Sequence, residues 1–453
     1  MKKSVLWSLR LGFSSAQAEK IETLGLEQFL KNSFQTKIIK SLPICLKDSP
    51  KTIQEFRKLR KKIKQLTADE QKEFRLGLRK TTIELQKWWI FQMIDSEYPL
   101  LENMTCFWHN HFVSTIQKVK VHYWIYQHNM ILRENAFGNF KTLTKLIIKS
   151  NAMISYLDNA KNQNGSFNEN LSRELLELFT LGIGNYSEND IKNGAKALAG
   201  LNYGNDHGIY RPLLQNNDTI TYLGKTGKFK ADELVDIIFE QPTIPYLVTR
   251  KLLQWFIEDN PSEEKVKYLG DYFRDVNFEI KPLLLKMFLE EYKTDSAGSK
   301  IKDPLRYILQ IKYELNLPNN KIENLLFFLK QQGMELFNQP NVKGWEGGNS
   351  WLSSQTYMQR NNVADLLCMG KWLRGKNREM TNNPTINLKQ EYSTNMDVIK
   401  SLTDYLVFRV SPEMQEDMET ILKYDFDPSS PNADKAILRL FDYIVKTPEF
   451  QIV

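Results

Sequence analysis

Cysteine is nearly missing from this chain. Cys45, Cys106 and Cys368 are its only three in 453 residues, they lie far apart, and no CxxC pair occurs. A disulfide framework and a cysteine-rich structural zinc site are thereby excluded. Histidine is scarce too, at five. No apolar run reaches the roughly 18 residues that a membrane-spanning helix needs. There is no internal repeat, no low-complexity segment and no linker long enough to force a domain boundary. The nucleotide fingerprints are absent as well. "GKT" at 224–226 has Thr219 where a phosphate loop needs its first glycine. "GWEGG" at 344–348 follows no predicted strand. No serine occupies a GxSxG elbow.

Apolar residues make up 42% of the chain and aromatic residues 12%, enough for a large buried core. The net charge of +7 is modest, but it is unevenly placed. Residues 51–80 hold eleven Lys or Arg against four Asp or Glu, a surplus equal to that of the whole chain. Ile53, Phe56, Leu59, Ile63 and Leu66 form a narrow apolar stripe through this stretch, so it reads as a basic amphipathic helix. Only Phe56 is aromatic among the charges of that helix, so there is no strong nucleic-acid signal. The N-terminus, "MKKSVLWSLRLGFSSAQAEK", imitates a secretion signal, but Ser8 and Arg10 interrupt its apolar stretch. The compartment stays open between cytoplasmic and envelope-associated.

Helical periodicity continues at 78–94, 100–113, 139–160, 168–181, from 187 to Gly200, from 231 onward and at 433–446. Ser187 and Asp190 have capping-box spacing. β-prone runs flank Gln215–Asp218, which predicts a hairpin within 208–223. The expected fold is all-α with this small β insertion, in one domain over 1–453.

Two constellations carry candidate chemistry. The first is "FWHNHF" at 107–112. Residues two apart on a helix point about 200° from each other, so His109 and His111 cannot share a metal there. Helical spacing places Leu100, Met104, Phe107, Trp108 and His111 on one side, and Glu102, Thr105, His109 and Phe112 on another. His111 is expected to face the core, and His109 a more polar face, open between site and structure. The second is "NENLSRELLELFTLGIG" at 168–184. Asn170, Glu174 and Glu177 line one stripe; Glu169, Arg173 and Glu177 line another. Such groups hold an arginine in place, bind a cation, or act as general acid and base. An ordinary exposed face with i,i+4 pairs uses the same residues.

Taken in order, "WSLRLGFSSAQAEKIETLGLEQFL", "FWHNHFVS", "NENLSRELLELFTLGIG", "TYLGKTGKF", "PNVKGWEGGNSWLSSQTYMQR" and the terminal "TPEFQ" resemble the bacterial family called domain of unknown function 1800. The likeness runs from about residue 6 to the end. It implies a single, largely helical domain that begins at "WSLRLGF", which argues against a cleaved signal. It also implies a polar site containing the Trp108–Phe112 run, Asn168, Glu169 and Asn170, Arg173 and Glu174, and Trp345 with Gly347. It supplies no reaction and no cofactor or metal. Members are often encoded beside a protein like the alkaline phosphatase and sulfatase superfamily, which implies a shared partner or pathway in the cell envelope. This chain departs from the pattern at Phe179 and Asn217, where the family often has histidine, so a metal-dependent mechanism is in doubt.

Two readings follow. In one the chain is a hydrolase or transferase, with His109, Glu169, Arg173, Glu174 and Glu177 catalytic and Trp108, Asn110, His111, Asn168, Asn170 and Trp345 binding. In the other it is a non-catalytic accessory or scaffold partner of a phosphatase- or sulfatase-like protein, and the same polar groups fix helix packing.

Overall fold

The computed structural model describes residues 1–294, 297–371, 384–387, 394–423, 427 and 433–453. Among them are twenty-two α-helices and four short strands in two separate pairs, so the fold is mainly helical. No helix among the described residues is long and apolar enough to cross a membrane.

Helix starts follow the local chemistry. Thr52 with Glu55, Thr67 with Glu70 and Ser187 with Asp190 each form a reciprocal capping box. The Thr67 box starts the second helix at Ala68, ten residues before its predicted start, and it runs to Asp95. Ser187→Ala removes an acceptor for the Asp190 N–H and is expected to cost about 1 kcal/mol by chemical denaturation. The predicted 139–160 helix is divided. Ser150 caps a new start by accepting from the Met153 N–H, leaving Phe140–Ile148 and Asn151–Tyr156.

The β insertion is present with a different pairing. β1 (Leu201–Asn202) pairs with β2 (Ile209–Tyr210), and β3 (Ile220–Tyr222) pairs with β4 (Lys225–Gly227). The runs flanking 215–218 therefore do not pair with each other. Pro212 opens a 3₁₀ turn after β2, while Leu223 and Gly224, both at positive φ, make the two-residue turn that joins β3 to β4.

The helix Leu100–His111 sits at the centre. Every residue in it except Asn110 is buried. Its polar groups are met inside: Glu102 accepts from Trp89 Nε1 at 3.0 Å and from Arg133 Nη2 at 2.5 Å. Asn103 ties it to the N-terminal helix Lys3–Leu11 by donating to the Arg10 carbonyl at 3.0 Å. Arg306 satisfies the last carbonyls of that N-terminal helix, donating to Leu9 at 3.0 Å and Arg10 at 3.3 Å. Arg10, the residue that interrupts the signal-like stretch, is itself buried and donates to Ile257 O and Ser299 Oγ, both at 3.2 Å.

Candidate functional site

A cavity of about 470 Å³ opens beside the C-terminal end of the central helix. Six segments meet there: Phe107, Asn110 and His111; Lys251, Gln254 and Trp255 from the helix Ile244–Phe256; Asp259 and Asn260; Lys300, Asp303 and Arg306; Met334; and the Gly-rich loop from Lys343 to Trp351. Its walls combine Trp255, Trp345 and Trp351 with amides and charges. Aromatic walls with a few convergent polar groups are the usual composition of a small-molecule site.

Most lining charges are matched. Asp303 caps its helix by accepting from the Arg306 N–H and forms a buried ion pair with the Arg306 guanidinium. Lys300 donates to Gln254 O at 2.7 Å and lies 3.4 Å from Asp259. Asp259 is held by the Ile301 N–H at 2.9 Å.

Lys251 differs. No carboxylate among the described residues ion-pairs with it. Its Nζ donates to the Leu178 carbonyl at 3.0 Å and to His111 Nδ1 at 3.4 Å. His111 Nε2 meets the Phe179 carbonyl at 3.1 Å, so Nε2 carries the ring proton and Nδ1 is the acceptor. The imidazole is neutral, because burial and the neighbouring ammonium both hold its pKa well below the ordinary value. Burial also pulls Lys251 from 10.5 to about 8.

The two carbonyls that hold this pair come from an unusual element. After the helix Asn170–Glu174, residues Leu175–Thr180 widen into a π-helix. Leu181 and Gly182 N–H both return to Leu176 O. The Leu178 and Phe179 carbonyls are left at the helix end, where Lys251 and His111 take them.

The histidine assignment of the sequence holds for His111, which is buried and hydrogen-bonded as expected, and fails for His109. His109 is the sealed one: its ring packs against Trp89, Phe337 and His128 at centroid distances of 5.4, 5.2 and 5.2 Å. Gln339 donates to its carbonyl at 3.1 Å, while its Nε2 meets no hydrogen-bond partner among the described residues. Desolvation, then His128, hold it neutral. The expectation of a polar face for His109 fails because the central helix is covered all round. His111 lies in the core as expected, and its ring also lines the cavity.

The remaining expected residues divide. Asn110 Oδ1 accepts from the Trp345 N–H at 2.7 Å and so fixes the cavity loop. Trp345 lines the cavity. Trp108 does not; it is buried, stacks on Phe112 and Phe140, and donates to Ala136 O at 3.1 Å. Asn168 accepts from the Asn170 N–H, shaping the turn that starts the second motif. Arg173 pairs with Glu169 at 3.2 Å and with Glu188 at 3.0 Å on the surface. Glu177 accepts from Tyr186 at 3.2 Å. Glu174 is half-buried, and burial followed by Glu177 raises its pKa; Arg173 and then Lys343 on the cavity rim oppose this. None of Glu169, Arg173, Glu174 or Glu177 lines the cavity. No group of three His, Cys, Asp or Glu placed to hold a metal occurs among the described residues.

Sequence reading missed Lys251, Trp255, Asp259, Lys300, Asp303 and Arg306. One signal was there: Lys251 falls on the same helical side as Ile244, Val248 and Trp255, a cation on an apolar face. Gly344 is required for the wall. It has φ +88°, and a Cβ there would lie 2.3 Å from Asn110 Oδ1 and 2.6 Å from Asn110 O. Gly344→Ala is expected to cost about 2 kcal/mol in thermal or chemical unfolding and to displace Trp345.

Fold and cavity together define a helical protein with an aromatic site in which, among the described residues, the Lys251 ammonium has no carboxylate partner. The chain belongs to the family described as "Protein of unknown function (DUF1800)", whose model matches residues 4–452. No curated protein and no solved structure matches it.

Proposed function

We propose that this chain binds a small anionic molecule in the cavity and acts on it as a hydrolase or transferase. The observation that carries the reading is Lys251. Its ammonium is anchored by two neutral acceptors and has no ion-pairing carboxylate among the described residues, so an anionic ligand group supplies the missing charge. A pKa near 8 keeps both protonation states accessible close to neutral pH, as general acid–base chemistry requires. Lys251 and His111 take the proton-handling role first expected of His109. Trp255, Trp345 and Trp351 supply the apolar wall. The reading treats 1–453 as one domain, supported by the pairing of Lys300 with Val453 and by Arg10 reaching Ile257.

The accessory reading, with a phosphatase- or sulfatase-like partner, is favoured by one observation: the motif groups Asn110, Asn168 and Arg173 all make internal bonds. In that case the cavity holds its anion without turnover.

A thermal-shift screen of phosphate monoesters, sulfate esters and carboxylates, on wild type and Lys251→Met, tests the proposal. Stabilisation by one anionic class, lost in the variant, supports it. An unchanged response in Lys251→Met, or none to any anion, removes it. Product formation from the stabilising compound then separates enzyme from accessory.

A further inference from the structure

We infer that residues 37–80 form a docking surface for an acidic phospholipid bilayer, independent of the cavity. Fourteen Lys or Arg stand here against five Asp or Glu, a surplus of nine in a chain whose total surplus is seven. Among the described residues only Lys40 is ion-paired, with Glu134. Two of the five carboxylates, Glu55 and Glu70, bond the N-terminal N–H groups of their own helices. The helix Ile53–Gln65 turns its apolar side inward, where Phe56 packs on Trp124 at 4.8 Å and on Tyr203 at 6.0 Å. The opposite side carries Arg57, Lys58, Lys61 and Lys64, all exposed. Lys72, Arg75 and Arg79 make a second exposed row on the following helix.

Exposed apolar residues accompany these charges. Ile44 is 91% exposed, Ile39 63% and Leu76 52%. The turn Ile44–Leu46 packs against the long helix, and Lys47 to Lys51 face Glu55 and Leu59 across a shallow cleft. Apolar anchors and basic arms therefore stand on adjoining elements. A bilayer of acidic lipids uses both: headgroups attract the cations, and the acyl boundary takes up the isoleucines and leucine. Nucleic acid uses only the charges. Phe56 and Phe74 are both turned at least partly inward, which leaves no exposed ring for stacking bases.

Co-sedimentation of the full chain with phosphatidylcholine vesicles and with phosphatidylglycerol-rich vesicles tests this, with a DNA duplex as competitor. We expect binding to the acidic vesicles only, weakened by salt. The exposed triple change Arg57→Glu, Lys61→Glu, Lys64→Glu should lower the partition coefficient at least about a hundredfold, at about fivefold per cation lost, with an unchanged melting curve. Ile44→Ser should weaken it several-fold at constant charge. Absence of binding to acidic vesicles overturns the inference. So does binding that survives the triple change, or that duplex abolishes while Ile44→Ser leaves it unaltered.

Discussion

Glu102→Gln is expected to lower the unfolding free energy by about 3–5 kcal/mol. Glu102 and Arg133 form an ion pair whose side chains are only 6% and 2% exposed. Removing the carboxylate charge leaves the Arg133 guanidinium buried without its counter-charge, and its Nε already lacks a hydrogen-bond partner among the described residues. Trp89 Nε1 also loses its charged acceptor. The double variant Glu102→Leu, Arg133→Met leaves no orphaned charge and should recover much of the loss. Urea denaturation of the three proteins measures this. A loss below about 1 kcal/mol in the single variant would show that the pair does not hold the central helix. The pair matters to the site because that helix ends in Asn110 and His111, which set the cavity loop and Lys251.

The second large effect concerns Lys251. Lys251→Met should weaken binding of the anion found by screening about ten- to hundredfold, the range of a hydrogen bond to a charged group. The pH dependence has a defined sign. Binding uses the ammonium, so affinity is level below pH 8 and falls as pH rises through the Lys251 pKa of about 8. Ligand-free stability runs the other way. The group titrates at about 8 when folded and near 10.5 when unfolded, so between those values the unfolded chain holds the extra proton. Raising the pH across that window therefore favours the folded state through this group. Calorimetric titrations and unfolding curves across the window read the two trends separately, and Lys251→Met should remove both.

The helical class was legible because apolar stripes and capping boxes are local. Ser187 announces its helix start within four residues, whereas the Thr67 box escaped the sequence reading, which set that start ten residues late. The cavity was not, because it joins segments near 107, 251, 303 and 345 whose meeting depends on the whole packing. The two histidines show the same limit. Helical spacing separated His109 from His111 correctly but could not say which side would be covered, and in a helix enclosed on every side the more polar face was buried as well. Lys251 was detectable as a cation among Ile244, Val248 and Trp255, although spacing alone did not distinguish a cavity wall from a helix face reaching solvent. The motif Asn168–Glu177 reads as an α-helical ladder; the π-helix from Leu175 breaks that ladder, and its released carbonyls organise Lys251 and His111 instead.

The most direct test of the anion site is a crystal structure of the protein soaked with tungstate, a phosphate mimic located by its anomalous signal. The account predicts an ion in the cavity with an oxygen about 2.8 Å from Lys251 Nζ, absent from crystals of Lys251→Met. A cavity without tungstate, or a tungstate that stays in place in Lys251→Met, would contradict it.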